Sequence, residues 1–410
     1  MKSVAFGLNS FHQLGSSAEN RSEETNHVAV PFTEGFRDIQ CGGSFSIVLR
    51  EDGSIELVGA INGQIYPSLT SVPITVPVPV LQMSCGKKHA LLLMDGGFVM
   101  SFGTGFFGQL GHGDDFCHPA PKLVDALHPK RIGSPACSVA AGANHSAVLT
   151  ENGKVFLFGL NRNSQCGAPA RCDSILLPTP LEASEKATSG YNWGTPSGGG
   201  KIVDVVCGKS HSAFLTADGN VFTWGGSTYG RLGVQRAVPK IQHFPLMVTY
   251  FHDHHIQVAK LVSGDYHMMA LAHDGNVYSW GYGSDGQLGQ SSLYHFRAPK
   301  KIEAFTEKGV RVVDIECGGL YSTAVDDMGR MWAWGYGDGG WLGISRTEDG
   351  EPPNFETEDP TEYPFIEGHD IVATFMGAMC VIVPKKVQQL NNGSRVKRIR
   401  CGDGHCIAIY

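Results

Sequence analysis

Short apolar runs separated by glycine-containing turns recur along the whole chain. Around position 210 the sequence reads VDVVCG, then HSAFLT, then VFTWG, so each run holds only about five residues. Runs of this length bounded by turn signals are typical of buried β-strands, whereas a helix needs roughly ten residues or more. Asp-Gly, Asn-Gly or Gly-Gly precedes the third run, and these pairs favour a type I′ hairpin with two positive φ angles. The pattern therefore predicts antiparallel strands joined by tight turns.

The pattern repeats with a constant internal spacing. One glycine stands twelve residues after a small reference residue, and a second glycine stands eighteen residues after it. The reference residues are Cys41, Cys85, Ala141, Cys207, Ser263 and Cys317; the first glycines are Gly53, Gly97, Gly153, Gly219, Gly275 and Gly329; the second are Gly59, Gly103, Gly159, Gly225, Gly281 and Gly335. Six copies in phase predict a radial array of small sheets.

The two ends of the sequence supply a seventh copy between them. The chain ends with the first half of the unit, RVKRIRCGDGHCIAIY, and begins with the second half, MKSVAFGLNSFHQLG. A closed ring requires such sharing, while a linear array does not. We expect one all-β domain over residues 1–410, a seven-bladed β-propeller closed by pairing the two terminal half-repeats. Its units lie near 38–67, 82–111, 138–167, 204–233, 260–289, 314–343, and 395–410 together with 3–15.

The segment between the sixth unit and the last one departs from this spacing. DIVATFMGAMCVIV, residues 370–383, resembles a degraded half-unit, so it is either an inserted strand pair or an eighth, degenerate blade. Before it, residues 346–370 hold nine acidic residues and one arginine. We expect an exposed acidic loop insertion there, which either aids solubility or docks a basic partner.

The repeat CGxxHSxxLTxDGxVFxWGxxxxGxLG resembles the regulator of chromosome condensation repeat family, whose members form seven-bladed propellers. The resemblance covers nearly the whole chain, and it implies a structural role for the residues that recur in each unit. These are Gly42, Gly86, Gly142, Gly208, Gly264, Gly318 and Gly402, the histidines His89, His145, His211, His267 and His405, and the tryptophans Trp224, Trp280 and Trp334. The plant UV-B photoreceptor branch places Trp and Arg directly after the glycine, and this chain has neither there.

In the exchange factor that names the family, the two residues between Gly and His contact the small GTPase Ran, and they are often acidic. The resemblance therefore implies a partner-binding rim at Lys87, Lys88, Asn144, Lys209, Asp265, Tyr266 and Asp403. Three lysines against two aspartates predict a basic rim, which favours a partner other than Ran. The family's basic N-terminal tail is missing, so chromatin docking of the family type is not expected.

Three apparent chemical motifs have simpler explanations. The Cys-x-x-x-His pairs, such as Cys207 and His211, would lie roughly 13 Å apart on an extended strand, too far for one zinc ion. The G-x-G-x-x-G matches, such as the one beginning at Gly281, lack the following helix that a dinucleotide site requires. Ser146 and Ser212 follow a histidine directly, and neighbours on a strand point to opposite faces. We expect no catalytic residue, no cofactor and no metal, and we interpret YFHDHHIQ, with His252, His254 and His255, as a solvated loop.

Composition narrows the partner class further. A net charge of −7 makes a global attraction to nucleic acid unexpected. The sequence shows neither a signal peptide nor a long apolar run, so no membrane contact is expected, and the thiols are expected to be reduced in a cytoplasmic or nuclear monomer. Two functions remain open. One is a non-catalytic scaffold or adaptor that binds another protein, and the other is a guanine nucleotide exchange factor for a Ran-like or other small GTPase.

Overall fold

The computed structural model describes residues 1–15, 29–74, 78–168, 172–182, 200–344, 371–373, 379–387, 390 and 395–410. The acidic insertion predicted at 346–370 lies outside these described residues. Strands dominate the described chain because five- and six-residue apolar runs alternate with turns throughout.

Seven antiparallel sheets form the molecule, so the predicted seven-bladed β-propeller is confirmed. Blade 1 contains β3 (Phe36–Cys41), β4 (Phe45–Arg50), β5 (Ile55–Ile61) and β6 (Gln64–Val72); blade 2 contains β7 (Val80–Cys85), β8 (His89–Met94), β9 (Val99–Gly103) and β10 (His118–Leu123); blade 3 contains β11 (Ala136–Ala141), β12 (His145–Thr150), β13 (Val155–Leu160) and β14 (Ser174–Pro180). Blade 4 contains β15 (Ile202–Cys207), β16 (His211–Thr216), β17 (Val221–Gly226) and β18 (Ile241–Met247); blade 5 contains β19 (Val258–Ser263), β20 (His267–Ala272), β21 (Val277–Gly281) and β22 (Phe296–Lys301). Blade 6 contains β23 (Val312–Cys317), β24 (Tyr321–Asp326), β25 (Met331–Tyr336), β26 (Ile371–Ala373) and β27 (Met379–Lys386); blade 7 contains β28 (Arg398–Cys401), β29 (His405–Ile409), β1 (Lys2–Gly7) and β2 (Val30–Glu34).

The first strand of each blade lies next to the central axis. It ends in the Gly-x-x-His turn, which we call the tip, and the second strand runs back from there. Because successive strands are antiparallel, the tips and the loops between the third and fourth strands lie on one face, the tip face. The opposite face, the hairpin face, carries the turns between second and third strands and the connections between blades. Three short helices lie in those connections, α1 (Pro129–Ile132), α2 (Thr249–Asp253) and α3 (Glu303–Glu307).

Blade 7 joins the two ends of the sequence. Strand β1 pairs with β29 over five consecutive residues, from Ser3 opposite Ile409 to Gly7 opposite His405. The two inner strands therefore come from one end of the sequence and the two outer strands from the other. Arg400 Nη2 also lies 3.1 Å from Asp38 Oδ1 in blade 1, and this ion pair is largely buried. The closure expected from the split repeat is confirmed.

The segment before blade 7 forms part of blade 6 and does not form an eighth blade. Strand β27 pairs with β25, and it supplies the fourth strand that a complete blade needs. Strand β26 then pairs with β27 as a fifth, outermost strand. The eight-bladed alternative was therefore wrong, because the apolar run near residue 380 completes an existing sheet.

The hairpin turns differ from the predicted type I′. In blade 1 the amide of Arg50 bonds the carbonyl of Ser54, and Gly53 alone has positive φ, at 86°. The same single positive φ occurs at Gly153, Gly219, Gly275 and Gly329. This is a three-residue loop in which a type I turn is followed by a glycine in the left-handed region. Both central residues have positive φ only in blade 2, at Gly96 and Gly97. The acidic or amide residue before glycine therefore belongs to the type I turn.

Within the described part of the chain, no helix is long and apolar enough to cross a membrane.

Candidate interaction face at the mouth of the propeller

The glycine of each tip is needed because an aromatic ring lies directly over it. A Cβ built on Gly86 would come within 3.0 Å of the imidazole of His89 and of the carbonyl oxygen of Gly142 in the next blade. The recurrent histidine lies in the same way over Gly142, Gly208, Gly264 and Gly402, whereas the ring over Gly42 is Phe45 and the ring over Gly318 is Tyr321. The recurrent glycine therefore lets the ring fold back against the tip and lets neighbouring tips approach each other.

The recurrent histidines connect each blade to the next. His145 Nε2 bonds Ser212 Oγ at 2.8 Å, and Ser212 in turn donates to the carbonyl of Gln165 at 2.8 Å. Because the serine hydrogen is used by that carbonyl, the imidazole must be the donor and carries its proton on Nε2. The other His–Ser bonds of this kind, from 2.9 to 3.0 Å, are His89 to Ser146, His267 to Ser322 and His405 to Ser46. Each of these bonds joins a histidine to a serine of the neighbouring blade, and not to the serine that directly follows a histidine in the sequence.

Burial keeps these imidazoles neutral. All five recurrent histidines have no exposed surface. Desolvation lowers the pKa of His89, His145 and His267 to about 3 and that of His405 to about 4, and it holds the pKa of His211 well below its usual range. Burial likewise raises the pKa of Cys207 to about 12, so the thiol stays protonated. Neutral, hydrogen-bonded groups of this kind hold the blades together and do not supply acid–base chemistry at neutral pH.

Where a blade departs from the repeat, its neighbour compensates. Blade 1 has Phe45 in place of histidine, and the facing residue in blade 2 is Ala90 instead of serine; both are fully buried in one apolar cluster. Blade 5 has Met268 in the serine position, and His211 bonds Ser263 at the reference position instead, at 3.0 Å. In blade 6, Tyr321 donates to the carbonyl of His405 at 2.6 Å. All seven contacts between blades are thus matched.

The three recurrent tryptophans support the same contact. Trp224 and Trp334 are completely buried, and their indole N–H groups donate to the carbonyls of Gln165 and Gln287 at 3.0 Å. Trp280 donates in the same way to Arg231 at 3.1 Å. Sequence reasoning missed the role of this glutamine position, although GQLG begins in phase at the last glycine of two of the G-x-G-x-x-G matches, Gly108 and Gly286.

The first variable residue of each tip points towards the axis, where four charged side chains meet. Lys87 crosses the mouth, and its Nζ lies 2.8 Å from Asp265 Oδ2 and 3.1 Å from Asp403 Oδ2. Lys209 Nζ lies 4.0 Å from Asp265 and over the ring of Tyr266, to whose hydroxyl it also donates. We call Lys87, Lys209, Asp265 and Asp403 the axial cluster. Burial lowers the pKa of Lys87, but the two carboxylates outweigh burial, so its pKa is raised overall.

The axial cluster changes the charge expected for the rim. Its two lysines and two aspartates cancel, so the basic rim inferred from the sequence is not what the tips present. Lys88 is exposed, while Asn144 and Tyr266 are half-buried. The structure therefore divides the rim residues into a neutral central group and an outer group, of which Lys88 is the exposed member.

The mouth itself is nearly closed. Backbone bonds link successive tips, for example Gly43 N to the carbonyl of Lys87 at 3.2 Å and Asp265 N to that of Gly319 at 3.2 Å. The cavity that the tips and the reference cysteines enclose has a volume of about 80 Å³. Small-molecule sites usually measure roughly 300–1,000 Å³. The mouth is therefore smaller than a typical small-molecule site, and its size suits contact with another macromolecule.

The histidine cluster lies on the hairpin face, in the connection between blades 4 and 5. His252, His254 and His255 line an open groove of about 580 Å³, together with Asp218 and Asp274 of neighbouring turns. Among the residues that the structure describes, no three His, Cys, Asp or Glu side chains are arranged to bind a metal ion.

Comparison with known proteins agrees with this architecture. The family model described as "Regulator of chromosome condensation (RCC1) repeat" matches residues 96–149, 152–215, 218–271, 274–325 and 328–409, more than half of the chain. The chain belongs to the regulator of chromosome condensation repeat family. A second model of the same repeat matches 136–165, 202–231 and 258–287.

Individual members of the family are similar over most of this chain. Human E3 ubiquitin-protein ligase HERC2 is 28% identical over 95% of the chain, but the chain spans only 8% of HERC2. Ultraviolet-B receptor UVR8 of Arabidopsis thaliana is 30% identical over 82% of the chain and 73% of the receptor. The solved structure of Saccharomyces cerevisiae Prp20p, described with its binding to Gsp1p and histones, superposes with a TM-score of 0.75 at 17% identity, covering 99% of this chain and 90% of Prp20p.

The tip residues separate this member from the photoreceptor branch. Its tips carry Lys87-Lys88, Lys209-Ser210 and Asp265-Tyr266, where that branch places Trp and Arg. The recurrent tryptophans of this chain are buried inside the blades. The family assignment therefore establishes the fold, while the choice of partner depends on the residues of the tip face.

Proposed function

We propose that this protein is a non-catalytic propeller that binds another protein through its tip face. The observation that carries the proposal is the axial cluster, in which Lys87 bridges Asp265 and Asp403 and leaves a cavity too small for a substrate. The contacts between neighbouring blades are matched around the ring, whereas the tip residues differ from blade to blade. Varied residues on a rigid frame are what a selective protein interface requires.

The outer tip residues are the ones we expect to contact the partner. Lys88 is exposed, and Asn144 lies in the neighbouring blade at the equivalent position. Lys87 is less suitable for a test, because a glutamate there would place three carboxylates together at the axis and would disturb the fold. A Lys88→Glu/Asn144→Glu variant therefore probes the surface without touching the axial cluster.

The test is affinity capture from a native cell extract with the parent chain and this variant. The matched control is Lys130→Glu/Arg131→Glu, which changes exposed residues of α1 on the hairpin face. We expect the tip-face variant to lose the main partner and the control to retain it, with both melting like the parent. If both variants retain the partner equally, the tip face is not the interface.

A guanine nucleotide exchange factor is the second candidate function. Asp265 and Asp403 are acidic tip residues at the mouth, the type of residue that the family's exchange factor uses, and Prp20p is described as binding Gsp1p. Exchange needs only preferential binding to the nucleotide-free GTPase. Capture should therefore be repeated with a chelator that strips Mg²⁺ and nucleotide. A small GTPase enriched only after stripping would favour exchange, and an unchanged set of partners would favour the adaptor.

A further inference from the structure

The tip face over blades 4 and 5 carries a concentration of positive charge. No Asp or Glu occurs from residue 219 to 252 or from 286 to 302. On the tip face these two stretches place the exposed residues Arg236, Lys240 and Arg297 and the buried Arg231, while Lys300 and Lys301 lie at the hairpin-face end of β22. Within the described residues, Arg231, Arg236, Lys240 and Arg297 have no ion-pair partner, while Lys301 pairs with Glu303 at 3.2 Å. This sector is positively charged, whereas the axial cluster beside it is neutral.

Aromatic rings lie within the same sector. Tyr229 is 43% exposed, and its ring centroid lies 4.9 Å from those of Tyr282 and His295 and 6.3 Å from that of Tyr266. The guanidinium of Arg231 lies 4.8 Å from the Tyr266 ring. We call these five residues, together with Lys240 and Arg297, the basic–aromatic patch.

The two flanking cations belong to the same continuous surface. Arg297 lies directly beside Gly230, because a Cβ on that glycine would lie within 3.0 Å of the Arg297 Cα and Cγ. On the other side, the amide of Ser227 bonds the carbonyl of Lys240 at 2.9 Å. Both Lys240 and Arg297 are exposed. Their charges therefore lie on either side of the turn that presents Tyr229.

The backbone at Tyr229 is held in an unfavourable conformation. Its φ is 62°, although the following Gly230 already supplies the positive φ that the equivalent turns use. Non-glycine residues in this region cost of the order of 1–3 kcal/mol and concentrate at functional sites. Tyr229 keeps this conformation while its ring packs against its aromatic neighbours and remains 43% exposed.

We propose that the basic–aromatic patch docks an acid-rich, extended segment of a partner protein. This proposal rests on the proposed function, since it names the chemistry of a partner that the tip face binds. The exposed cations Lys240 and Arg297, which have no ion-pair partner among the described residues, lie on either side of Tyr229, whose hydroxyl can donate to a carboxylate, and the sector contains few competing acids. Single-stranded nucleic acid fits less well, because Lys209 and Arg231 already cover the Tyr266 ring and Tyr282 stacks on His295, which leaves little free ring surface for bases.

The test uses purified chain and a fluorescein-labelled peptide of alternating glutamate and serine, with binding measured by fluorescence anisotropy. We expect saturable binding that weakens as salt is raised. Lys240→Glu/Arg297→Glu should weaken it by about tenfold or more, and Tyr229→Gly, which removes the ring and the strained side chain, should weaken it by about threefold. The matched control Lys130→Glu/Arg131→Glu makes the same charge change on the hairpin face and should alter binding by less than about twofold.

Two further probes separate the alternatives. A lysine–serine peptide should not bind, and a labelled oligothymidine should bind more weakly than the acidic peptide. Equal loss of peptide binding in the patch variant and the control would show a nonspecific charge effect, and tighter binding of oligothymidine would assign the patch to nucleic acid; either result overturns the proposal. The Lys88→Glu/Asn144→Glu variant should still bind the peptide, so failure of the patch and failure of the proposed interface are distinguishable.

Discussion

The contact between His145 and Ser212 allows a quantitative test of what joins neighbouring blades. The serine accepts from the imidazole and donates to the Gln165 carbonyl, and that carbonyl also accepts from Trp224. Ser212→Ala removes the hydroxyl and leaves a fully buried imidazole N–H without this acceptor. A buried donor left unsatisfied costs about 1–3 kcal/mol, so we expect the free energy of unfolding to fall by about 2 kcal/mol.

Replacing both partners should be far less costly. Blade 1 already contains the apolar version of this contact, with Phe45 over Gly42 against Ala90. In the double variant His145→Phe/Ser212→Ala no imidazole N–H is left unpaired, and the Gln165 carbonyl keeps its bond from Trp224. We therefore expect the double variant to lie within about 1 kcal/mol of the parent, which gives a coupling energy of about 1–2 kcal/mol.

The measurement is urea unfolding followed by tryptophan fluorescence for the parent, both single variants and the double variant. His145→Phe alone is the informative reference, since it leaves the Ser212 to Gln165 bond intact. Strictly additive effects of the two changes, with a coupling below about 0.5 kcal/mol, would refute the reasoning. The blades would then be held by apolar packing alone, and the recurrent histidine would be a ring of suitable size and no more.

Two other properties follow from the same structure. Unfolding returns the recurrent histidines to an ordinary pKa near 6.5, from about 3 in His89, His145 and His267, from about 4 in His405, and from well below the usual range in His211. The unfolded chain therefore takes up protons, and the free energy of unfolding should fall below about pH 6.5, by roughly 1 kcal/mol at pH 5.5 for each histidine of pKa about 3. A melting temperature unchanged between pH 7.5 and about 5.5 would contradict this. Deleting residues 3–15 removes β1 and uncovers the edge of β29. The variant should therefore aggregate, or melt far below the parent, in light-scattering and thermal scans. Parent-like melting would mean that the ring does not depend on closure.

The sequence allowed the number of blades and their closure to be predicted, because both follow from a repeat spacing that does not depend on any side-chain contact. The turn type could not be predicted in the same way. Asp-Gly and Asn-Gly satisfy both the type I′ turn and the type I turn with a following glycine, and the loop length that separates them depends on which residues the strands pair. The place of the strand near residue 380, for which both an inserted strand pair and an eighth blade were considered, was left open for a related reason. Its apolar pattern identifies a strand, but the sheet that the strand joins is a long-range property.

The axial cluster could not be predicted from the sequence, for a geometric reason. Lys87, Asp265 and Asp403 come from blades 2, 5 and 7, so no spacing in the repeat relates them. Whether their side chains meet depends on the radius of the ring at the tips. Counting lysines and aspartates therefore gave a basic rim, while the structure neutralises its centre and leaves the free positive charge further out.

The contacts between blades indicate that each repeat of such a sequence should be compared with the repeat of the next blade. When the repeats are aligned in columns, Phe45, Met268 and Tyr321 look like decay of the motif. When each blade is compared with the next, every one of them is compensated, by Ala90, by Ser263 and by the carbonyl of His405. A substitution matched in the neighbouring blade is constrained by the fold. Among the described residues, Lys88 is exposed and takes part in none of these matched contacts. It is therefore one of the residues through which we propose that a partner is bound.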